Sequence, residues 1–146
     1  VLSTTSEYAV RALIHLARLE EGGTLLGRDL ALTSDIPNNY LAKILLALNK
    51  VGIVEASRGP GGGYRLKRPA DTITLLEVAR VFEGEAAVPS CFLQHSHLCT
   101  DGQPCSAHHA WKRVKNTYTA FLTRTTIGGI AAQVAPDLQT PQEELR

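Results

Sequence analysis

Apolar residues recur at spacings of three and four from Tyr8 through Ala9, Ala12, Leu13, Leu16 and Ala17, and the pattern stops at Gly22-Gly23. This predicts a first helix, opened by a capping box of Thr4 and Glu7. After Leu25-Leu26, the stretch from Asp29 to Thr33 predicts a short second helix, ended by Ser34-Asp35 and Pro37. A third helix follows from Asn38 or Asn39. Leu41, Ile44, Leu45 and Leu48 form its apolar stripe, leaving Asn38, Asn39, Ala42, Lys43 and Lys50 toward solvent or a ligand, and Gly52 closes it. The pattern then changes to strands, Ile53 to Ser57 and Tyr64 to Lys67, around the tip Arg58-Gly59-Pro60-Gly61-Gly62-Gly63. Helical spacing returns after a second capping box, Thr74 with Glu77, in Leu75, Val78, Ala79 and Phe82, and runs to about Gly84. A long amphipathic helix from about Ala107 carries Trp111, Val114, Tyr118, Phe121 and Leu122, and a short last helix covers Ile127 to Val134.

Two helices joined by a tight turn, the second with an amide-rich start and an exposed lysine, followed by a glycine-tipped hairpin, form a winged helix-turn-helix pattern. The expected fold is mainly α with a small β-wing and a long C-terminal dimerisation helix. Residues 1–84 would form the DNA-binding domain with its supporting helix, 85–106 a cysteine loop, 107–134 the dimerisation helix and final short helix, and 135–146 a flexible tail. Glycines such as Gly59, Gly61 and Gly62 permit positive φ and close backbone approach, and Arg58 suits a phosphate or a narrow minor groove. A phosphate-binding loop would need Gly-Lys-Ser/Thr and a following helix, and neither is here. The aromatic stripe of the long helix lies beyond an already complete winged-helix core. The same helix of a second subunit is the economical partner, and packing within one chain is the simpler alternative.

Length and charge narrow the class. The chain has 146 residues, 44% hydrophobic and 20% charged, enough for one core and an added interaction element. No stretch approaches the roughly 20 apolar residues of a membrane span, so a soluble, cytoplasmic protein without a membrane partner is expected. The formal net charge is only +1, yet from Asn38 to Arg68 six cations stand against Glu55 alone, a local +5 suited to a polyanion. Lys43 is expected at bases and Lys67 or Arg68 at phosphates.

Cys91, Cys99 and Cys105, with His108 close behind, fall in a polar segment that also holds Ser90, His95, Ser96, His97, Thr100, Asp101 and Gly102. Such thiols have little core to hide in, and an odd number argues against a disulfide framework. They read as ligands of an iron-sulfur cluster or of zinc. Zinc accepts sulfur and nitrogen in a tetrahedron, although structural zinc sites favour Cys-x-x-Cys pairs and none occurs here. Wide spacing suits a cluster better. Each candidate also has a plain structural role: Glu7 can close the capping box, and His108 can cap the long helix. An enzyme is not expected, because there is no nucleophile elbow, no metal-water motif, no paired carboxylates on one helix face and no Cys-x-x-Cys.

The segments Glu7-Tyr8-Ala9-Val10-Arg11-Ala12, Asn39-Tyr40-Leu41, Arg58-Gly59-Pro60-Gly61-Gly62-Gly63-Tyr64 and the three-cysteine loop with His108 and Trp111 resemble the Rrf-two superfamily over roughly residues 1–134. That resemblance implies a homodimeric winged-helix transcription factor, acting on a near-palindromic double-stranded operator, whose DNA affinity depends on a labile iron-sulfur cluster sensing iron-sulfur status, redox state or nitric oxide. It places Asn39, Tyr40, Lys43 and Arg58 at operator-contacting positions and Cys91, Cys99 and Cys105 at cluster-ligand positions. His108 matches the histidine ligand of IscR-like members, which implies a 2Fe-2S centre. Glu7 matches the site where NsrR-like members take a carboxylate from the partner subunit, which implies 4Fe-4S; the histidine set is favoured. Two departures stand out: Cys91 and Cys99 are separated by seven residues, more than in IscR-like members, and Ala42 replaces a glutamate of their recognition helix. The alternative is a cluster-free winged-helix regulator governed by thiol redox or zinc. A third reading is a protein-interaction adaptor whose basic stretch is simply solvated.

Overall fold

A computed structural model describes residues 2–88, 90–93 and 99–133. His95, His97, Val134 at the expected end of the last helix and the tail 135–146 lie outside the described residues. The first helix, α1, spans Thr4–Ala17, but its cap is Ser3 and not Thr4: the Ser3 side chain accepts from Ser6 N at 3.2 Å. The two positions share hydroxyl chemistry, and the register is decided by Ser6. That residue is fully buried, and both Ser6 Oγ and Ser3 N donate to the carboxylate of Glu83 on a distant helix.

Helix α2 covers Gly27–Ser34 and α3 covers Asn38–Lys50. The turn between them needs a left-handed residue, supplied by Asp35 at φ 54°, the one non-glycine with positive φ among the described residues. Leu41, Ile44, Leu45 and Leu48 of α3 are buried as the spacing requires, and Gly52, at φ 76°, follows its end. Strands β1 (Val54–Ser57) and β2 (Gly63–Leu66) pair antiparallel, with Val54 opposite Leu66 and Ser57 opposite Gly63. Leu25 adds a bridge through Tyr64: Leu25 N donates to Tyr64 O at 3.0 Å and Tyr64 N to Leu25 O at 2.7 Å. Gly63 is required there, since at φ 141° a Cβ would stand 2.5 Å from Leu25 O.

After a 3-10 turn at Ala70–Thr72, α4 runs from Leu75 to Glu83 with Thr74 as its cap, accepting from Glu77 N at 3.1 Å. The Glu77 carboxylate does not complete the box. It pairs with Arg68 instead. A second 3-10 turn, Gly84–Ala87, leads to the cysteine segment, followed by α5 (His108–Arg124) and α6 (Ile127–Ala131). The core gathers Leu13, Leu16, Leu30, Leu41, Leu45, Leu48, Ile53, Ile73 and Val78, together with Leu122 of α5 and Ile127 of α6. The winged-helix core is therefore not closed without the C-terminal helices, because Leu122 and Ile127 are fully buried within it. A short antiparallel bridge fixes this closure: Leu75 N donates to Thr125 O at 3.0 Å, and Ile127 N to Ile73 O at 2.8 Å.

Candidate metal centre and nucleic-acid interface

The segment between α4 and α5 folds back so that the Sγ atoms of Cys91, Cys99 and Cys105 lie within 4.8 Å of one another. Local hydrogen bonds explain half of this. Thr100 and Gln103 close a turn through paired backbone bonds of 3.1 and 3.4 Å, Cys105 N donates to Cys99 Sγ at 3.4 Å, and His108 N donates to Cys105 O at 3.1 Å. Cys91 and Cys105 stand at a non-bonded Sγ–Sγ distance of 3.8 Å. Cys91 is buried; Cys99 and Cys105 are partly exposed. Burial pushes the Cys105 thiol up from its ordinary value, and the neighbouring Cys99 and Cys91 add to the shift.

His108 is the first residue of α5 and is buried. Its Nδ1 is 3.2 Å from Cys99 Sγ, so it touches the triad through one thiol while lying outside the group in which all donors are within 4.8 Å. Its Nε2 meets Asp101 Oδ1 at 2.7 Å. Lys112, one turn along α5, donates to both oxygens of Asp101 at 3.0 and 2.8 Å. Lys112 and then His108 hold the Asp101 carboxyl down to about 2. A cavity of about 260 Å³ opens beside this edge, bordered by Cys99, Asp101, His108, Trp111 and Lys112. Glu7 is elsewhere in its own chain's network, paired with Arg11 at 3.1 Å and largely exposed.

Asp101 was not legible as a partner of His108, because only the folded loop brings the two together. Gly102 and Pro104 set it outside α5, so helical spacing to His108 or Lys112 is no guide to the contact. The donor set fits a thiophilic metal group: three soft sulfurs stand with one imidazole nitrogen, which suits zinc and iron, and the Asp101 carboxylate already holds that imidazole.

On the other side of the sequence, Asn38, Asn39, Tyr40 and Lys43 are all exposed along the first turns of α3. Arg58 and Gly59 are exposed at the wing tip with Gly61, and Gly62 N closes the turn onto Gly59 O at 2.8 Å. Thr24 Oγ1 holds the tip from below by donating to Gly61 O at 2.8 Å. The basic stretch is less available than its composition suggests. Arg65 is paired with Glu55 at 2.6 Å, and Arg68 is held by Thr72 O at 2.7 Å and by the Glu77 carboxylate, whose hydrogen bond raises its pKa. Arg68 is thus engaged as a structural clamp between the wing base and α4. Arg11 braces the turn before α3, a contact that the spacing did not reveal: its Nη1 donates to Ser34 O at 3.2 Å and Asp35 O at 3.3 Å. Its guanidinium also lies 5.3 Å from the ring of Tyr8, which meets Tyr40 edge to face at 6.2 Å.

An exposed α3 start, a turn braced from α1 and a glycine-rich hairpin define a winged helix-turn-helix, and the matching family is one of transcriptional regulators. The chain belongs to the Rrf2 family, described as iron-dependent transcriptional regulators, whose profile matches residues 2–133. It is similar to the HTH-type transcriptional regulator IscR of Escherichia coli, 32% identical over 127 residues, covering 87% of this chain and 77% of that protein. Among solved structures it is similar to CymR, the global cysteine regulator of B. subtilis, at TM-score 0.75 and 27% identity, covering 92% of this chain and 98% of that one. IscR of T. potens aligns at TM-score 0.72 and 26% identity, over 97% of this chain and 93% of that one. Among the described residues no helix is long and apolar enough to cross a membrane.

Proposed function

We propose that this regulator is a homodimer whose affinity for a near-palindromic operator is controlled by an iron-sulfur cluster held by Cys91, Cys99, Cys105 and His108, with 2Fe-2S favoured. Glu7 from a second copy is the other candidate for the fourth ligand, in which case 4Fe-4S is the better match. The observation that carries the reading is the convergence of three thiols within 4.8 Å directly before the helix that begins with His108. The family's iron dependence and the likeness to IscR support it. A bound cluster supplies a centre that oxidants, nitric oxide or iron scarcity can degrade.

The chain's own part is to couple the loop to the DNA-reading elements. Ordering the loop fixes the first turn of α5 through His108 and Asp101. The far end of α5 is spliced to the start of α4 by the Thr125–Leu75 and Ile127–Ile73 bonds, and α4 holds the wing base through Glu77 and Arg68. Asn38, Asn39, Tyr40 and Lys43 would enter the major groove, and Arg58, with the close backbone approach that Gly59, Gly61 and Gly62 permit, would meet phosphate or the adjacent minor groove. The Val114 and Phe121 side chains, exposed on α5, support the dimer, since a second α5 would cover them.

A second reading has its own observation. One tetrahedral ion with metal–sulfur bonds near 2.3 Å sets its sulfurs about 3.8 Å apart, and Cys91 and Cys105 stand at that separation. Zinc, or direct thiol redox chemistry, therefore suits the compact triad, and the likeness to CymR, a cysteine regulator, accords with it. Anaerobic native mass spectrometry separates the two. A dimer carrying iron and sulfide supports the cluster reading, and fluorescence anisotropy on DNA should then change when the cluster is removed. A dimer with zinc, or with no metal after attempted reconstitution, overturns it.

A further inference from the structure

We propose that Asp101, pinned by Lys112, is the positioning residue that presents Nδ1 of His108 to the cysteine triad and so sets how firmly the centre keeps its metal. The inference rests on His108 being a ligand, as proposed above, and goes beyond it to the residues that govern its orientation.

A carboxylate can only accept. Asp101 Oδ1, 2.7 Å from Nε2, therefore selects the tautomer with the proton on Nε2. The lone pair of the neutral ring is then left on Nδ1, the atom that faces Cys99 Sγ at 3.2 Å. A ring with no acceptor at Nε2 would populate both tautomers and could rotate Nδ1 away from the sulfurs. Asp101 itself would be a poor anchor if it were free, because its side chain is largely exposed. Lys112 removes that freedom by bonding both of its oxygens.

The placement also links ring and loop. His108 and Lys112 are one turn apart on α5 and share a face, while Asp101 belongs to the loop only two residues after Cys99. One carboxylate thus fastens the thiol-bearing loop to the helix that carries the imidazole. Loss of Asp101 should loosen the Cys99–His108 edge as a unit, and the cavity beside that edge admits water or a small chelator.

The test uses the full chain, metal-free and anaerobic, with cobalt(II) alone as the probe because its visible bands report sulfur and nitrogen ligands. Variants Asp101→Ala, Asp101→Asn, Lys112→Met and His108→Ala are compared with the parent, and urea unfolding checks each fold. The parent should show the Nε2-protonated tautomer of His108 in long-range ¹H–¹⁵N spectra. Asp101→Ala should mix the tautomers and weaken cobalt by about 10- to 100-fold, the usual cost of losing a carboxylate behind a histidine ligand. Asp101→Asn keeps an accepting oxygen and should restore most of both signals. Lys112→Met should give a smaller loss of the same kind. If His108→Ala weakens cobalt and Asp101→Ala does not, or if the tautomer is unchanged in Asp101→Ala, the inference is overturned alone. If His108→Ala binds cobalt as tightly as the parent, the ligand assignment fails and takes the inference with it.

Discussion

Replacing Arg11 with alanine should cost both stability and DNA affinity, through one side chain that no groove contact explains. Arg11 Nη1 bonds the carbonyls of Ser34 and Asp35 at 3.2 and 3.3 Å, where the end of α2 leaves acceptors without helical donors. These bonds are charge-assisted but long and partly exposed, and together they contribute about 1 kcal/mol. The guanidinium over Tyr8 adds about 0.5–1 kcal/mol. The exposed pair with Glu7 adds about 0.3–0.5 kcal/mol. Urea unfolding of Arg11→Ala should thus show a loss of about 2 kcal/mol, with the slope unchanged. Lysine can reach one carbonyl without the planar fork, so Arg11→Lys should recover only part of it. The turn also aims α3, and Tyr8 backs Tyr40, so affinity for a labelled DNA fragment selected with the parent protein should fall more than the lost folded fraction accounts for. An Arg11→Ala protein within about 0.5 kcal/mol of the parent, the range of an ordinary surface change, would refute the bracing role.

Gly63→Ala should destabilise by about 1–3 kcal/mol and weaken DNA binding, since its Cβ would meet Leu25 O at 2.5 Å with φ at 141°; an unchanged urea midpoint would refute the close approach. Leu122→Ala should cost about 2–5 kcal/mol, because the side chain is fully buried in the shared core. Phe121→Glu, one residue earlier and exposed, should leave secondary structure intact and shift sedimentation from dimer to monomer; a dimer of unchanged affinity would remove α5 from the interface. Burial, then Arg18 and Arg11, hold His15 below its ordinary value of 6.5. The unfolded chain then takes up a proton that the folded chain refuses, so this residue's contribution is present above pH 6.5 and is lost as pH falls toward the folded value. His15→Gln should therefore lose less stability than the parent between pH 7.5 and pH 5.5, as read by urea midpoints, and parallel curves would refute the assignment.

The elements were legible where one physical signal dominates. The Leu41, Ile44, Leu45 and Leu48 stripe and the glycine-tipped hairpin each follow from local spacing, and all four stripe residues are buried. What the sequence could not show depends on pairing across the fold. Ser3 and Thr4 are equally good caps by chemistry, and the choice comes from Glu83, which reaches Ser3 N and Ser6 Oγ from α4. Arg65 and Arg68 count as free cations until Glu55 and Glu77 are seen to neutralise them. The C-terminal aromatic stripe looked dispensable to the core because no local pattern separates Leu122, which is buried there, from Phe121, which is exposed. The cysteines were recognisable from their polar setting, whereas the Asp101 bond to His108 exists only once the Thr100–Gln103 turn has formed.

That turn prepares one side of the centre. Cys99, Cys105 and His108 are tied together by the bonds from Cys105 N to Cys99 Sγ and from His108 N to Cys105 O, so their spacing is largely set before any metal arrives. Cys91 joins them as a buried thiol 3.8 Å from Cys105 Sγ. A cluster, which spreads its thiolates over different irons, needs a wider frame than a single zinc ion does. The sulfur triangle, within 4.8 Å, would therefore have to open for a cluster, whereas a single ion could enter it as it stands.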